Sequence, residues 1–363
     1  MSDPTIQTFC CHHGNGTNVA LTIMRELNTD LYNSVCLFSS SLGILGAIYQ
    51  ILPRRQFTTS HRWFSFPAER GRRIIVWLAV ADLLAALGVF FRSVMWITNK
   101  NIMPSSNDDS SVLFCSISSA LIQYFYIATC IWTLVYAIDM RLILRQLEYK
   151  IRNYHMVAWI VPAFLTAIGL GLLYYPKADC HASLTTDIVL FRFLPNYAAT
   201  YLPLLIVMIT NPILYHDSVG DMKKIITSVS GQLTSRERHI VEAIHIKFCI
   251  IILVFYLCWI PNLINGILVW TLWVEFPRDV IIIIWYIMAL TNPLQAFLNA
   301  IVYRRWNAGS ERIILPWKHY DDLEYNPRLP ASPKLSKGSS KDERYPLLPG
   351  GPVKSINGYQ SLP

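Results

Sequence analysis

The sequence predicts an all-α membrane protein, a bundle of seven transmembrane helices whose N-terminus is lumenal or extracellular and whose C-terminus is cytoplasmic. Three observations carry that prediction. Of 363 residues, 53% are hydrophobic and 15% charged, and the mean hydropathy is +0.36, a balance too apolar for ordinary soluble domains. Seven stretches are each long enough to cross a bilayer, which takes about 20 apolar residues at ~1.5 Å of rise apiece. Lys and Arg fall unevenly between the connecting loops, and positive charge beside a span is retained in the cytoplasm.

Taken in order, residues 1–30 are polar, with no apolar core leading to a small-residue cleavage site. They read as a lumenal segment rather than a removable signal peptide. Asn15-Gly16-Thr17 within them is a glycosylation acceptor on the side where glycosylation occurs. The seven-helix bundle occupies 31–303, with spans near 32–52, 74–92, 112–138, 156–175, 194–215, 248–274 and 280–303. Loop one carries Arg54, Arg55, Arg62, Arg70, Arg72 and Arg73; loops three and five carry Arg141, Arg145, Lys150, Arg152, Lys223, Lys224, Arg236 and Arg238. Loops two, four and six hold fewer, among them Lys100, Lys177 and Arg278, beside several acidic residues. The net charge of +8 therefore faces anionic lipid and calls for no nucleic-acid partner. Residues 304–314 form a short amphipathic stretch suited to a helix on the membrane surface. Residues 315–363 read as a disordered cytoplasmic tail, since eight of the chain's 20 prolines lie between Pro316 and Pro363.

Several residues stand out against this apolar background. Cys115 begins the third span and Cys180 lies in the loop after the fourth, both on the oxidising side. They are either a bridge over the bundle mouth or two unrelated thiols. The adjacent Cys10-Cys11-His12-His13 cannot fold round one metal, so another disulfide, of unassigned partner, is the better reading, and no metal site is expected. Asp82 lies midway along the second span, where a carboxylate costs roughly 2.5–3.5 kcal/mol and must face inward. Thr129 and Asn292 are its expected partners, forming a water or sodium pocket; the alternative is a protonated, hydrogen-bonded carboxyl of the core. Beyond that sodium ion no cofactor is expected. In FYLCWIP, residues 255–261, Pro261 removes a backbone hydrogen bond and kinks the sixth span, and Trp259 beside it supplies a bulky lever. A hinge with such a lever can hold two packings, as a switch requires. Asn292-Pro293 places a second proline in the seventh span.

Phe255-x-x-Cys258-Trp259-x-Pro261, with Asp82, Trp159, the Cys115/Cys180 pair and Asn292-Pro293, resembles the seven-helix G-protein-coupled receptors over about residues 30–310. The ending NPLQAFLNAIVY is closer to the cyclic-AMP and secretin-like groups. More specifically, TFCC at 8–11, YHMVAW at 154–159, LLYYP at 172–176, YLPLL at 201–205 and NPIL at 211–214 resemble the ocular albinism type 1 receptor family. That resemblance implies a receptor of melanosome and late endosome or lysosome membranes, with some at the plasma membrane. It implies control of melanosome number and size through heterotrimeric G proteins, with arrestin as a further partner and L-DOPA or related tyrosine metabolites as ligands. Asp139-Met140-Arg141 stands at the G-protein face, but its Arg is displaced by one residue, about 100° round the helix, from the usual acidic-Arg pair. Amine receptors anchor ligand ammonium with an Asp where this chain has Ile122, so a small-molecule ligand has neutral contacts available: Gln123, Tyr124, Asn262 and Asn265, with stacking on Trp259 or Tyr286.

The tail adds two sorting patterns for clathrin adaptors, Glu343 with Leu347-Leu348, and Tyr359 with Leu362; Tyr320 to Leu323 is another tyrosine pattern. Two other classes compete with the receptor. A scaffold that recruits sorting machinery is favoured by the displaced Arg141 and opposed by the hinge. A transporter would need several intramembrane charges, and the sequence offers essentially Asp82 alone. No nucleophile, base and orienting group can be gathered in the bundle, so the chain is not read as an enzyme.

Overall fold

In the computed structural model the described residues are 27–52, 54–56, 62–99, 109–145, 147, 150–174, 186–230, 235–271, 278–307 and 311–313. They form α1 (Thr29–Ile51), β1 (Arg54–Gln56), α2 (Arg62–Thr98), α3 (Asp109–Leu144), α4 (Ile151–Tyr174), α5 (Thr186–Ser230), α6 (Ser235–Thr271), α7 (Arg278–Asn307) and β2 (Glu311–Ile313). Each of the seven helices is long and apolar enough to cross a membrane.

Local chemistry sets the ends of α1. Its N-cap Asn28 accepts the Leu31 N–H at 3.0 Å, and Asp30 sits in the first turn, where the helix dipole favours negative charge. The Leu52 N–H closes on the Ile48 carbonyl, and Pro53 follows in the sequence, unable to continue the ladder. Several helices outrun the stretches that hydropathy marks. α2 already starts at Arg62, α5 runs on to Ser230 and α6 starts at Ser235. Hydropathy registers only the turns inside hydrocarbon, whereas Glu, Lys, Arg and Gln sustain a helix equally well in water.

The helices close a ring, α1 against α2 and α7, α2 against α3, α4 against α5, α5 against α6 and α6 against α7, while α3 also packs on α4 and α5. α3 is the central column, more deeply buried than the other six spans and above all than those of α4 and α5. Outward-facing Phe38, Phe91, Phe164, Ile209 and Leu253 are exposed, as a lipid-facing surface requires. α1 and α7 approach closely at Gly43 and Gly46, where an added Cβ would collide with the Pro293 carbonyl and the Phe297 backbone. Ser39 Oγ donates to the Ala289 carbonyl at 2.7 Å across the same seam.

The segment 304–314 differs from the separate surface helix expected of it. α7 continues through Asn307, and Glu311–Ile313 then pairs antiparallel with Arg54–Gln56, Arg54 opposite Ile313 and Gln56 opposite Glu311. The packing of α1 on α7 brings the segments that follow these two helices together, and each satisfies backbone groups of the other.

Candidate functional site

Midway along the bundle, α2, α3 and α7 meet at Asp82, which is buried. Thr129 Oγ1 donates to its Oδ1 at 3.0 Å and Asn299 Nδ2 to its Oδ2 at 3.1 Å, one bond per oxygen. Nearby, α6 and α7 are clasped at their prolines. Asn262, next to Pro261, and Asn292, before Pro293, exchange two bonds: Asn262 Nδ2 to Asn292 Oδ1 at 2.7 Å, and Asn292 Nδ2 to Asn262 Oδ1 at 3.1 Å. Asn262 Nδ2 also reaches the Cys258 carbonyl at 3.2 Å, in the turn that carries Pro261. Trp259 is fully buried, edge-on to Tyr126 with ring centroids 5.4 Å apart, and its Nε1 has no hydrogen-bond partner among the described residues. A second tie joins α6 to α7 where Trp285 Nε1 donates to Asn265 Oδ1 at 3.0 Å.

The remaining neutral candidates are engaged elsewhere. Gln123, fully buried on α3, donates from Nε2 to Asn196 Oδ1 at 3.2 Å and Thr200 Oγ1 at 3.0 Å, both on α5. The Tyr124 hydroxyl donates to the Trp159 carbonyl at 3.3 Å, at the edge of a cluster in which Trp77, Trp132, His155 and Trp159 join α2, α3 and α4. The Tyr286 hydroxyl donates to the Asn28 carbonyl at 3.2 Å.

One end of the bundle is held by charge. Asp139, fully buried at the end of α3, accepts Arg70 Nη2 of α2 at 2.8 Å and the Tyr154 hydroxyl of α4 at 2.9 Å, both on Oδ1. Nearer the surface, Arg141 pairs with Asp217 at 2.7 Å and Arg145 with Asp221 at 2.9 Å, tying α3 to α5.

The sequence profile described as ocular albinism type 1 protein matches residues 1–321. The chain belongs to that family. It is 30% identical over 385 residues to "G-protein coupled receptor 143" of Homo sapiens, with 97% of this chain and 93% of the relative covered. It is also 23% identical over 277 residues to "Cyclic AMP receptor-like protein A" of Dictyostelium discoideum, covering 75% of this chain and 63% of that one. The chain is therefore an integral multi-pass membrane protein of the G-protein-coupled receptor class, a class that is not enzymatic.

Set beside family membership, the geometry redistributes the residues that the sequence marks. Asp82 and Thr129 are together, but Asn292 bonds to Asn262 and the place beside Asp82 goes to Asn299. Asn299 lies seven residues, two helical turns, beyond Asn292 and so on the same face of α7, the signal by which it is found. The six neutral ligand candidates do not line the small cavity between α1, α2, α3 and α7. Asp139 and Arg141 serve different partners on different helices. The supposition that Asp82 is essentially the sole intramembrane charge is corrected by Arg92, which is buried inside the bundle on α2. In sequence it stands where the apolar stretch breaks and reads as the end of the span. Asn15, Cys180, the Cys10–His13 cluster and the tail signals from Tyr320 to Leu362 lie outside the described residues; Cys115 is buried in α3.

Proposed function

We propose that the chain is a receptor of melanosome, late endosome and lysosome membranes that answers L-DOPA or related tyrosine metabolites and, through heterotrimeric G proteins, regulates melanosome biogenesis, number and size. The observation that carries this reading is the hinge. Proline-bearing turns of α6 and α7, at Pro261 and Pro293, are clasped by a reciprocal Asn262–Asn292 pair, with the Trp259 lever beside them. A neutral clasp of this kind can open at modest cost, and ligand contact that moves Trp259 would bias it. The lumenal N-terminus with glycan at Asn15, a Cys115–Cys180 bridge and adaptor binding through Leu347-Leu348 and Tyr359 belong to the same reading, as does arrestin on the cytoplasmic face. A sodium ion fits beside Asp82 in part: the carboxylate and Thr129 Oγ1 supply oxygens, while Asn299 presents its amide nitrogen.

The scaffold reading keeps one observation in its favour, that Arg141 is engaged by Asp217 within the bundle. The test is a set of tail variants, Leu347→Ala with Leu348→Ala and Tyr359→Ala, scored for surface fraction and for activation across a G-protein panel with and without L-DOPA. Surface receptor that responds to L-DOPA supports the proposal. Surface receptor that stays silent across the panel moves the scaffold ahead.

A further inference from the structure

A nucleophile stands on α6 where the surface of that helix passes from polar to apolar. From Phe248 to Val274 the sequence holds no charged residue, and Cys249 is the second position of that run. On the exposed side of the helix Glu242 and His245 precede it, and Leu253, Leu257 and Ile260 follow as a lipid-facing stripe. Among the described free cysteines Cys249 is exposed, whereas Cys36, Cys130 and Cys258 are buried. One turn back, His245 Nε2 lies 3.8 Å from Cys249 Sγ, within hydrogen-bond reach of a sulfur. A thiol attacks as its thiolate, so a base in contact with it is the part that a merely structural cysteine lacks.

The surface beyond the thiol suits a hydrocarbon chain. Cys249, Leu253, Tyr256, Ile260, Leu263 and Ile267 recur at three- and four-residue steps and so share one face of α6. At the far end of that face Leu263 and Ile267 join Ala198 and Leu205 of α5 in lining an apolar groove of about 480 Å³. Leu263 lies 14 residues past Cys249, about 21 Å along the helix, which an extended palmitoyl chain just spans. The lipid-facing side of α6 thus offers a reactive atom at one end and an apolar slot at the other, one acyl chain apart.

We infer that Cys249 is a site of S-acylation, at which a long-chain acyl group joins Sγ as a thioester and lies along α6 into the groove. The donor is an acyl thioester, of coenzyme A or of an acyltransferase. Sγ attacks its carbonyl carbon, the thiol proton passes to His245 Nε2, the bond to the departing sulfur breaks, and that sulfur leaves with the proton. The inference goes beyond the receptor reading and rests on it for one thing, the side of the membrane. By the positive-inside rule Lys223, Lys224, Arg236 and Arg238, ahead of the span, turn this end of α6 to the cytosol, where acyl-coenzyme A is found. A chain fixed there tethers to lipid the part of α6 that Pro261, 12 residues on, allows to swing.

The test feeds cells that express the full chain an alkyne analogue of palmitate and reads hydroxylamine-sensitive label per chain. Label is expected on the unaltered chain, absent from Cys249→Ser and several-fold lower in His245→Gln. No label on the unaltered chain, or label that survives Cys249→Ser, overturns the site, and equal label in His245→Gln overturns the pairing of thiol and base. Incubating the purified full chain in lipid nanodiscs with palmitoyl-coenzyme A separates the donors: label there supports direct transfer from coenzyme A, and label in cells alone supports transfer to the same thiol by an acyltransferase. Hydroxylamine should lower the Tm of the acylated chain, and Ala198→Phe, which fills the groove, should keep the label and remove that difference; a difference that survives overturns the seating of the chain. An Asn15 that carries no glycan and is reached from the cytosol would put Cys249 on the lumenal side and overturn both readings. Labelled Cys249 in a chain that activates no G protein leaves this site standing and sinks the receptor reading, whereas an activating chain without label sinks this site alone.

Discussion

At one end of the bundle, α2, α3 and α5 are joined by full charges, Arg70 to Asp139 and Arg141 to Asp217. Midway, α6 and α7 are joined by neutral groups, Asn262 to Asn292 and Trp285 to Asn265. The two kinds of tie fail differently. A buried ion pair deprived of one partner strands a charge in low dielectric, so it resists rearrangement. An amide pair in a membrane interior contributes little net, because amides find other partners when helices shift. The charged end fixes the relation of α2 to α5, and the amide clasp lets α6 and α7 move relative to it. Around the hinge, donors also stand unspent: Trp259 Nε1 and the Tyr126 hydroxyl are buried without hydrogen-bond partners among the described residues.

The contrast is tested most severely at Asp139. Asp139→Ala removes the acceptor of both Arg70 and Tyr154, and should lower stability toward the lower end of the ~3–5 kcal/mol typical of broken buried pairs, since Arg70 is itself 20% exposed. Thermal unfolding of the detergent-purified chain would read this as a Tm loss well beyond that of Asp139→Asn, which still offers Tyr154 an oxygen. Should the two variants lose the same small amount, this end is no more rigid than the clasp.

Asp82→Asn should cost less, on the order of 1 kcal/mol, because an amide oxygen can still accept from Thr129 or Asn299. Its distinctive effect is expected in signalling: any dependence of ligand response on sodium concentration should vanish. A sodium dependence that persists in Asp82→Asn removes the ion from this position.

A double-mutant cycle on the clasp comes next in size. Asn262→Ala, Asn292→Ala and the pair together should give a coupling energy of about 0.6 kcal/mol, the average for polar pairs between membrane helices. A coupling several times larger would make the clasp a lock and shift the mobile element elsewhere.

Much of this was legible in the sequence, for reasons that also mark where reading stops. Seven apolar stretches gave seven helices, because a span must satisfy its backbone within itself and so has little choice but helix. Thr129 beside Asp82 could be anticipated, since a carboxylate at that depth requires inward-facing partners. The choice of Asn299 over Asn292 depended on helix rotation and on the α1–α7 approach at Gly43 and Gly46, and a list of polar residues does not encode rotation. Arg92 was hidden because hydropathy treats a charge at the edge of a stretch as its boundary, although a long side chain can turn back inward. The ion pairs Arg70–Asp139 and Arg141–Asp217 join residues distant in sequence, and only the packing of α3 against its neighbours brings them within reach.

The smallest stability effect carries the largest functional weight. Arg141 and Asp217 are 26% and 35% exposed, so their pair should be worth only ~0.2–1 kcal/mol after solvent screening, and Arg141→Ala should shift Tm little. The same weakness allows Arg141 to leave Asp217 for a partner at modest cost, which the buried Arg70–Asp139 pair cannot do. If Arg141 is the cation a G protein meets, Arg141→Ala abolishes activation with Tm and surface level unchanged, and Asp217→Asn, which releases it, raises basal activation. If both variants signal like the parent chain, the pair is only a strut between α3 and α5, and coupling has to be sought on another part of the charged end.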